Sequence, residues 1–439
     1  MLDRLLFRRI DNSPLIIFRI FFGILVSLEC YGAIATGWVR RTLVEPKFTF
    51  SFIGFEWLQP LPGPGMYAYF FIMGTLGVLI ALGYRYRLSI LAFTLLWTGV
   101  YLMQKTSYNN HYYLLIIISF FMCFFPAHRS HSLDAKRHPG IRKDSMPQYI
   151  KWLVISQLFL VYTYAAVAKV YPDWLDLSFI KLLMQSKSHY LIIGEWLQHD
   201  WVLKAIRAAG ILFDLLIVPA LLWKPSRKFA FAVSIFFHLF NSVVFQIGIF
   251  PYLSLAFTVF FFEPERIRKV FFRRKPPFQS RQLAIPPGRN WIIAGWGVFL
   301  FVQLILPLRH HLIEDNVLWT EEGHRMSWRM MLRSRNGHIQ YRVVDKKTGA
   351  SSYVQPGDYL SEKQRMRLAA YPDFIWQFAQ VLKQEYAKLG QDVAVYAKSK
   401  ISINGRPMQP FIDPATDLAS EPWRHFAHHP WILPSRLER

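Results

Sequence analysis

PLIIFRIFFGILVSLECYGAIAT, residues 14–36, is a run of 23 mostly apolar residues, slightly more than the roughly 20 a helix needs to cross a bilayer's hydrocarbon core. No small-residue cleavage site follows it, so it reads as a retained span and not as a removed signal. Eight further apolar runs follow, near residues 65–83, 88–104, 111–126, 149–170, 205–223, 229–247, 249–263 and 290–308. Backbone polar groups inside lipid must be satisfied within the segment, so each run is expected to be a helix. The runs at 111–126 and 249–263 are short and leave the count of crossings open.

Composition agrees with an embedded majority: 53% of the 439 residues are hydrophobic and 17% aromatic. The net charge of +23 does not point to nucleic acid, because the basic residues flank apolar runs, as charges held at a membrane surface do. The amino-terminal segment, YRYR (84–87), AHRSHSLDAKRHPGIRK (127–143), KPSRK (224–228) and EPERIRKVFFRRKPP (263–277) are basic and fall on one side of a nine-crossing thread. Residues 37–64, 105–110 and 171–204 fall on the other side and hold fewer. Lys and Arg accumulate on the cytoplasmic side, so the amino terminus is expected in the cytoplasm and residues 309–439 outside, in the periplasm, extracellular space or lumen. Cys30 and Cys123 lie in apolar runs and suggest no disulfide framework. No Asn-x-Ser/Thr site occurs, which favours a bacterial over a secretory-pathway setting.

Beyond residue 308 the pattern changes. IQYRVVDK (339–346) and VAVYAKSKISING (393–405) alternate as strands do. Between them FIWQFAQVLKQEYAKLG (374–390) has apolar residues at helical spacing and stops at Gly390, the pattern of an amphipathic helix covering a sheet. The fold expected is a mainly α polytopic membrane bundle of about nine transmembrane helices over residues 1–308. A carboxyl-terminal extracytoplasmic β-rich domain, α+β and sandwich-like, would span 309–439.

Ionisable groups in a membrane segment are expensive unless partnered, and mark functional candidates. Four stand out: His111, Lys169, Asp214 and His238. In the threading above, His111 and Lys169 share a depth near the outer surface. Lys169 follows an apolar stretch and precedes the helix break at Pro172 in YTYAAVAKVYPDWL (162–175). Two readings stand for it: the amine snorkels to the headgroups, or it faces inward, desolvated, as a neutral base. In the second, His111 donates to a developing oxyanion. For Asp214 and His238 a structural hydrogen bond between helices stands beside a catalytic role.

At these residues the chain resembles the vitamin K-dependent gamma-glutamyl carboxylase family, over nearly all of residues 15–435. The matching stretches are FRIFFGILV (18–26), KTSYNNHYYL (105–114), AKVYPDWL (168–175), FHLFNSVVFQIGIFPYLSLA (237–256), WTEEGHRMSWRMMLRSR (319–335) and SINGRPMQPFIDP (402–414). The resemblance implies a lyase that oxygenates reduced vitamin K, a phylloquinol or menaquinol, to its epoxide with O2. The base so formed removes a γ-proton from a glutamate of a peptide or protein, and CO2 adds to give gamma-carboxyglutamate. It implies no metal. A base of that strength needs a site shielded from water. By motif, Lys169 would deprotonate the quinol and His111 would steady the oxyanion, with Asn109, Asn110, His238 and Asp214 around the quinone. The glutamate-binding region would include His310, Trp319, His324, Trp328, Arg333, Arg335 and, in the last motif, Arg406. His324 and Arg333 stand where the animal enzymes carry a Tyr and a His. Arg333 is expected to clamp a carboxylate in bidentate fashion. The animal enzymes' long carboxyl-terminal extension and inter-domain disulfide cysteine have no counterpart, so propeptide recognition does not carry over. Two alternatives to carboxylation remain: quinol epoxidation alone, or a non-enzymatic quinone- or lipid-binding membrane protein.

Overall fold

The computed structural model describes residues 1–278 and 283–437. Nine helices occupy the nine apolar runs, and we number them α1 Ser13–Ala35, α2 Gly65–Leu82, α3 Tyr86–Met103, α4 Asn110–Phe124, α5 Tyr149–Ala168, α6 Asp200–Leu222, α7 Arg227–Phe245, α8 Phe250–Phe257 and α9 Arg289–Ile305. Seven are long and apolar enough to cross a membrane; α4 and α8 are the two shorter ones. Large apolar side chains such as Phe229, Phe236, Trp291 and Phe301 point outward from α7 and α9, which is stable only against lipid or another apolar partner. Inside, one apolar core runs through α1 to α8. Its tightest seam lies between α1 and α2, where a Cβ on Gly77 would stand 2.8 Å from the Ser27 amide nitrogen. Such close backbone approach is how helices associate in lipid, where no hydrophobic drive separates them from the acyl chains.

The loops divide into two sets by what they touch. At one end, Lys275 Nζ meets Asp11 Oδ1 at 2.7 Å, Arg19 donates to the Ala127 and His131 carbonyls, Asp134 accepts from the Arg85 and Tyr86 amides, and Arg227 pairs with Glu263 at 2.9 Å. These contacts tie the amino-terminal segment and all four other basic loops to one another. At the other end, Phe50 packs on Phe374 with ring centroids 4.8 Å apart, Lys105 meets Asp373, and Asp173 accepts from Asn404. The loops at 37–64, 105–110 and 171–204 thus all lie against the carboxyl-terminal domain.

That domain is built on a four-stranded antiparallel sheet of β1 Arg335–Asp345, β2 Ser351–Val354, β3 Val393–Ile403 and β4 Gln409–Ile412, in the order β2-β1-β3-β4. The long β1/β3 ladder pairs Arg335 with Ile403 through to Asp345 with Val393. Helix α10, Pro372–Lys388, covers one face. Its Phe374, Ile375, Phe378 and Leu382 enter a separate core with Tyr341, Val343, Val395 and Ile401. The second layer of this α+β domain is therefore a helix, and alternation along β1 and β3 follows from having one covered face.

Candidate active site between the bundle and the outer domain

A cavity of about 810 Å³ opens where the helix bundle meets the sheet domain. It has two halves of different chemistry. The membrane half is walled by Trp38, Phe70, Trp97 and Val100, with Glu29, His111 and Tyr112 as polar groups and the backbone of 246–248 along one side. The half between the domains is lined by Lys105, Arg325, Arg329, Arg333 and Arg367, with Glu321, His324 and Tyr371. An aromatic-walled space continuous with a cationic one suits two ligands, one lipophilic and one acidic.

Helix α4 begins at this junction because Asn109 caps it, its Oδ1 accepting from the Tyr112 amide at 2.8 Å. Asn110 donates to the Arg329 carbonyl at 3.1 Å and accepts from the Tyr108 hydroxyl. Both asparagines border the cavity, and both have structural duties there. His111, one residue into the helix, stacks on Phe250 at 3.9 Å between centroids.

Lys169 does not snorkel. It ends α5 buried, with Nζ 2.5 Å from Asp214 Oδ2 and 3.2 Å from the Ala165 carbonyl, and 5.6 Å from the centre of the Trp174 ring. It is absent from the lining of the large cavity. A contiguous run of side chains connects the two places. Phe213, next to Asp214, contacts Tyr162 and His238; the Tyr162 hydroxyl lies 3.2 Å from His238 Nε2; and His238 meets the edge of the Phe250 ring on which His111 stacks. The His238 Nδ1 has no partner among the described residues.

The stretch 319–335 wraps the outer half with residues in unusual backbone states: Glu321, Met326, Trp328 and Met331 all have positive φ, the strain expected of a loop over-determined by its contacts. Arg333 holds a carboxylate through Nε and Nη2, as expected of a clamp, but the carboxylate is that of Glu321. Arg335 is spent on the Trp319 and Ala370 carbonyls. Trp319 belongs to the sheet domain's core, its indole donating to the Leu433 carbonyl at 2.7 Å. Trp328 packs on Tyr113 at 5.0 Å. His324 is buried on the cavity wall, and burial with Arg333 nearby holds its imidazole well below the ordinary value, hence neutral. His310 donates from Nδ1 to the Pro307 carbonyl, 2.8 Å away, and its Nε2 stands 3.4 Å from Arg329 Nη1. Arg406 is remote from the cavity lining and pairs with Asp173, four residues after Lys169.

Sequence reasoning passed over four groups here. Arg329 makes no ion pair among the described residues, and burial lowers its guanidinium to about 10. Lys105 and Arg325 share the buried Asp373, at 2.6 Å and 2.8 Å. Glu29 sits within α1 itself. The one acidic residue in its apolar run was the signal for Glu29; nothing in the sequence says which of the clustered basic residues will lack a carboxylate partner.

Residues 7–265 match the HTTM domain family, and residues 288–438 match the family described as vitamin K-dependent gamma-carboxylase, lumenal domain. No solved structure matches the chain.

Proposed function

Because this chain belongs to the vitamin K-dependent gamma-glutamyl carboxylase family, we propose that it is a quinol-epoxidising glutamyl carboxylase whose outer domain presents a peptide above a membrane pocket. The observation that carries this is the two-part cavity, aromatic below and cationic above. Trp38, Phe70 and Trp97 fit the flat faces of a fused quinol ring, and His111 and Tyr112 reach its edge. Bound there, a reduced vitamin K reacting with O2 supplies the epoxide and a base strong enough to take a glutamate γ-proton, which CO2 replaces. The sheet domain roofs the pocket, so water is excluded from above while lipid excludes it from the sides.

Lys169 and Asp214 act as one proton-holding pair. Ion pair and neutral pair carry the same net charge; desolvation penalises the two charges and their mutual attraction offsets that penalty, which brings the two forms closer in free energy than in water. Passing one proton across the 2.5 Å contact from Lys169 Nζ to Asp214 Oδ2 leaves a free amine without recourse to bulk water. That amine is the base for the quinol hydroxyl, with Tyr162 and His238 on the route to the ring. His111 steadies the oxyanion.

In the outer half Arg329 receives the substrate carboxylate, because Arg333 is already engaged by Glu321. The fork of a guanidinium with no carboxylate partner among the described residues gains most from a substrate carboxylate. The amino terminus lies in the cytoplasm and the sheet domain outside, since the basic loops gather at the amino-terminal end.

The test is turnover by purified protein in lipid nanodiscs supplied with a naphthohydroquinone, O2, labelled CO2 and a Glu-containing peptide. Lys169→Ala is expected to lower quinol epoxidation by roughly 10²-fold or more, with partial rescue by small primary amines. Epoxidation at the wild-type rate in that variant dismisses the base. The Arg333–Glu321 pair favours one second reading, epoxidation without carboxylation; it holds if epoxide forms and no label enters the peptide.

A further inference from the structure

Glu29 is a carboxylate on a membrane helix that the mechanism above does not use. It lies in the membrane half of the cavity, where an ionisable group costs several kcal/mol without a partner. No cation pairs with it among the described residues. Its partners are hydrogen-bond donors: the Tyr112 hydroxyl, 2.8 Å from Oε1, and the backbone at Ile249. Gly248 adopts φ +63°, and a Cβ there would stand 3.5 Å from Oε2. The lack of a side chain leaves space beside the carboxyl group, next to the stretch of backbone that also carries Phe250 and, stacked on it, His111.

A carboxylate in this position discriminates between two oxidation states of one ring. A hydroquinone offers two O–H donors; the corresponding quinone offers only carbonyl acceptors. An acceptor held among donors, with aromatic walls on either side, binds the first and repels the second. Tyr112 fixes Oε1, so the geometry is set before the ligand arrives.

We propose that Glu29 accepts a hydrogen bond from one hydroxyl of the bound hydroquinone and makes the site select reduced over oxidised ring. The inference rests on the quinol reading of the cavity and adds to it the residue that reads the redox state. Glu29 touches the ring and orients it; the proton leaves toward Lys169.

Binding is measured without turnover, under anaerobic conditions, by quenching of the cavity's Trp38 and Trp97 in the full chain. The probes are 2-methyl-3-prenyl-1,4-naphthohydroquinone and its quinone. Wild-type protein is expected to prefer the hydroquinone. Glu29→Gln should weaken hydroquinone binding roughly tenfold or more, the loss of a charge-assisted hydrogen bond, and Glu29→Leu further, while quinone affinity stays the same or rises. Retained quinone binding shows that each variant is folded. Equal loss of both probes, or undiminished preference in both variants, overturns the inference. Wild-type protein that binds neither probe overturns instead the quinol reading on which it rests.

Discussion

At the scale of single residues the junction is organised by one carboxylate between two cations. Asp373 is buried; burial alone would push it up, but Arg325 and Lys105 outweigh that and hold it well below the ordinary carboxylate range. Lys105 is the weaker holder of its proton: burial pushes its amine down to about 8, with Asp373 opposing. Arg325 stays charged and keeps Asp373 paired. A lysine whose folded value lies below its unfolded one is charged in both states below pH 8 and neutral in both above about 10.5. Between them the unfolded chain binds more protons, so stability rises with pH across that window. Thermal unfolding should show the rise in wild-type protein, and Lys105→Met should remove it. For Asp373 the sign is the usual carboxylate one: its contribution is full above the unfolded value and lost as pH falls below it. Asp373→Asn leaves two buried cations facing each other and is expected to cost about 3–5 kcal/mol, read as a fall in unfolding temperature. Lys105 was visible in KTSYNNHYY only as the first residue of a polar cluster; its partner lies 268 positions away, beyond any spacing rule.

At the scale of elements, α1 and α2 set the shape of the membrane half of the cavity. Their contact is closest where Gly23 and Gly77 face each other: a Cβ on Gly23 would stand 2.4 Å from the Ala81 nitrogen and 2.6 Å from the Gly77 carbonyl oxygen. Glu29 is less than two turns further along α1, and Phe70 lies two turns back along α2. Gly77→Leu should pry the helices apart at a cost of about 1–3 kcal/mol, lowering the yield of folded protein and weakening quinone binding together. The positions and types of all nine helices were legible from hydropathy, and the two long strands and covering helix of the outer domain from periods of two and 3.6; the short strands Ser351–Val354 and Gln409–Ile412 were not. What hydropathy does not carry is which faces touch. The glycines were present in the sequence, but their pairing across α1 and α2 depends on crossing geometry.

At the scale of the whole molecule the cavity lies where two large cores meet. The bundle's core and the sheet's core are distinct, joined by Lys105–Asp373, by Asp173 with Asn404 and Arg406, and by the Tyr171 hydroxyl on the Leu332 carbonyl. The last two contacts run from Asp173 and Tyr171, just after Lys169, to Asn404 and Arg406 just past the end of β3 and to Leu332 in the 319–335 stretch, and so tie the end of α5 to the cavity's outer wall. Sidedness is testable directly. A cysteine introduced at exposed Leu389 should react in intact cells with a membrane-impermeant maleimide, and one at Lys136 only after lysis. The reverse pattern refutes the orientation.

The sequence by itself determined which stretches are apolar helices, which loops share a side, and which family the motifs resemble, because hydropathy, charge placement and short motifs are local properties. Only the tertiary structure decided that Lys169 is bound to Asp214, that Arg333 is paired with Glu321 while Arg329 has no ion pair among the described residues, and that Glu29 faces the same cavity as His111. Those outcomes depend on which groups meet after burial, and a buried charge takes whichever partner the packing brings within hydrogen-bond reach.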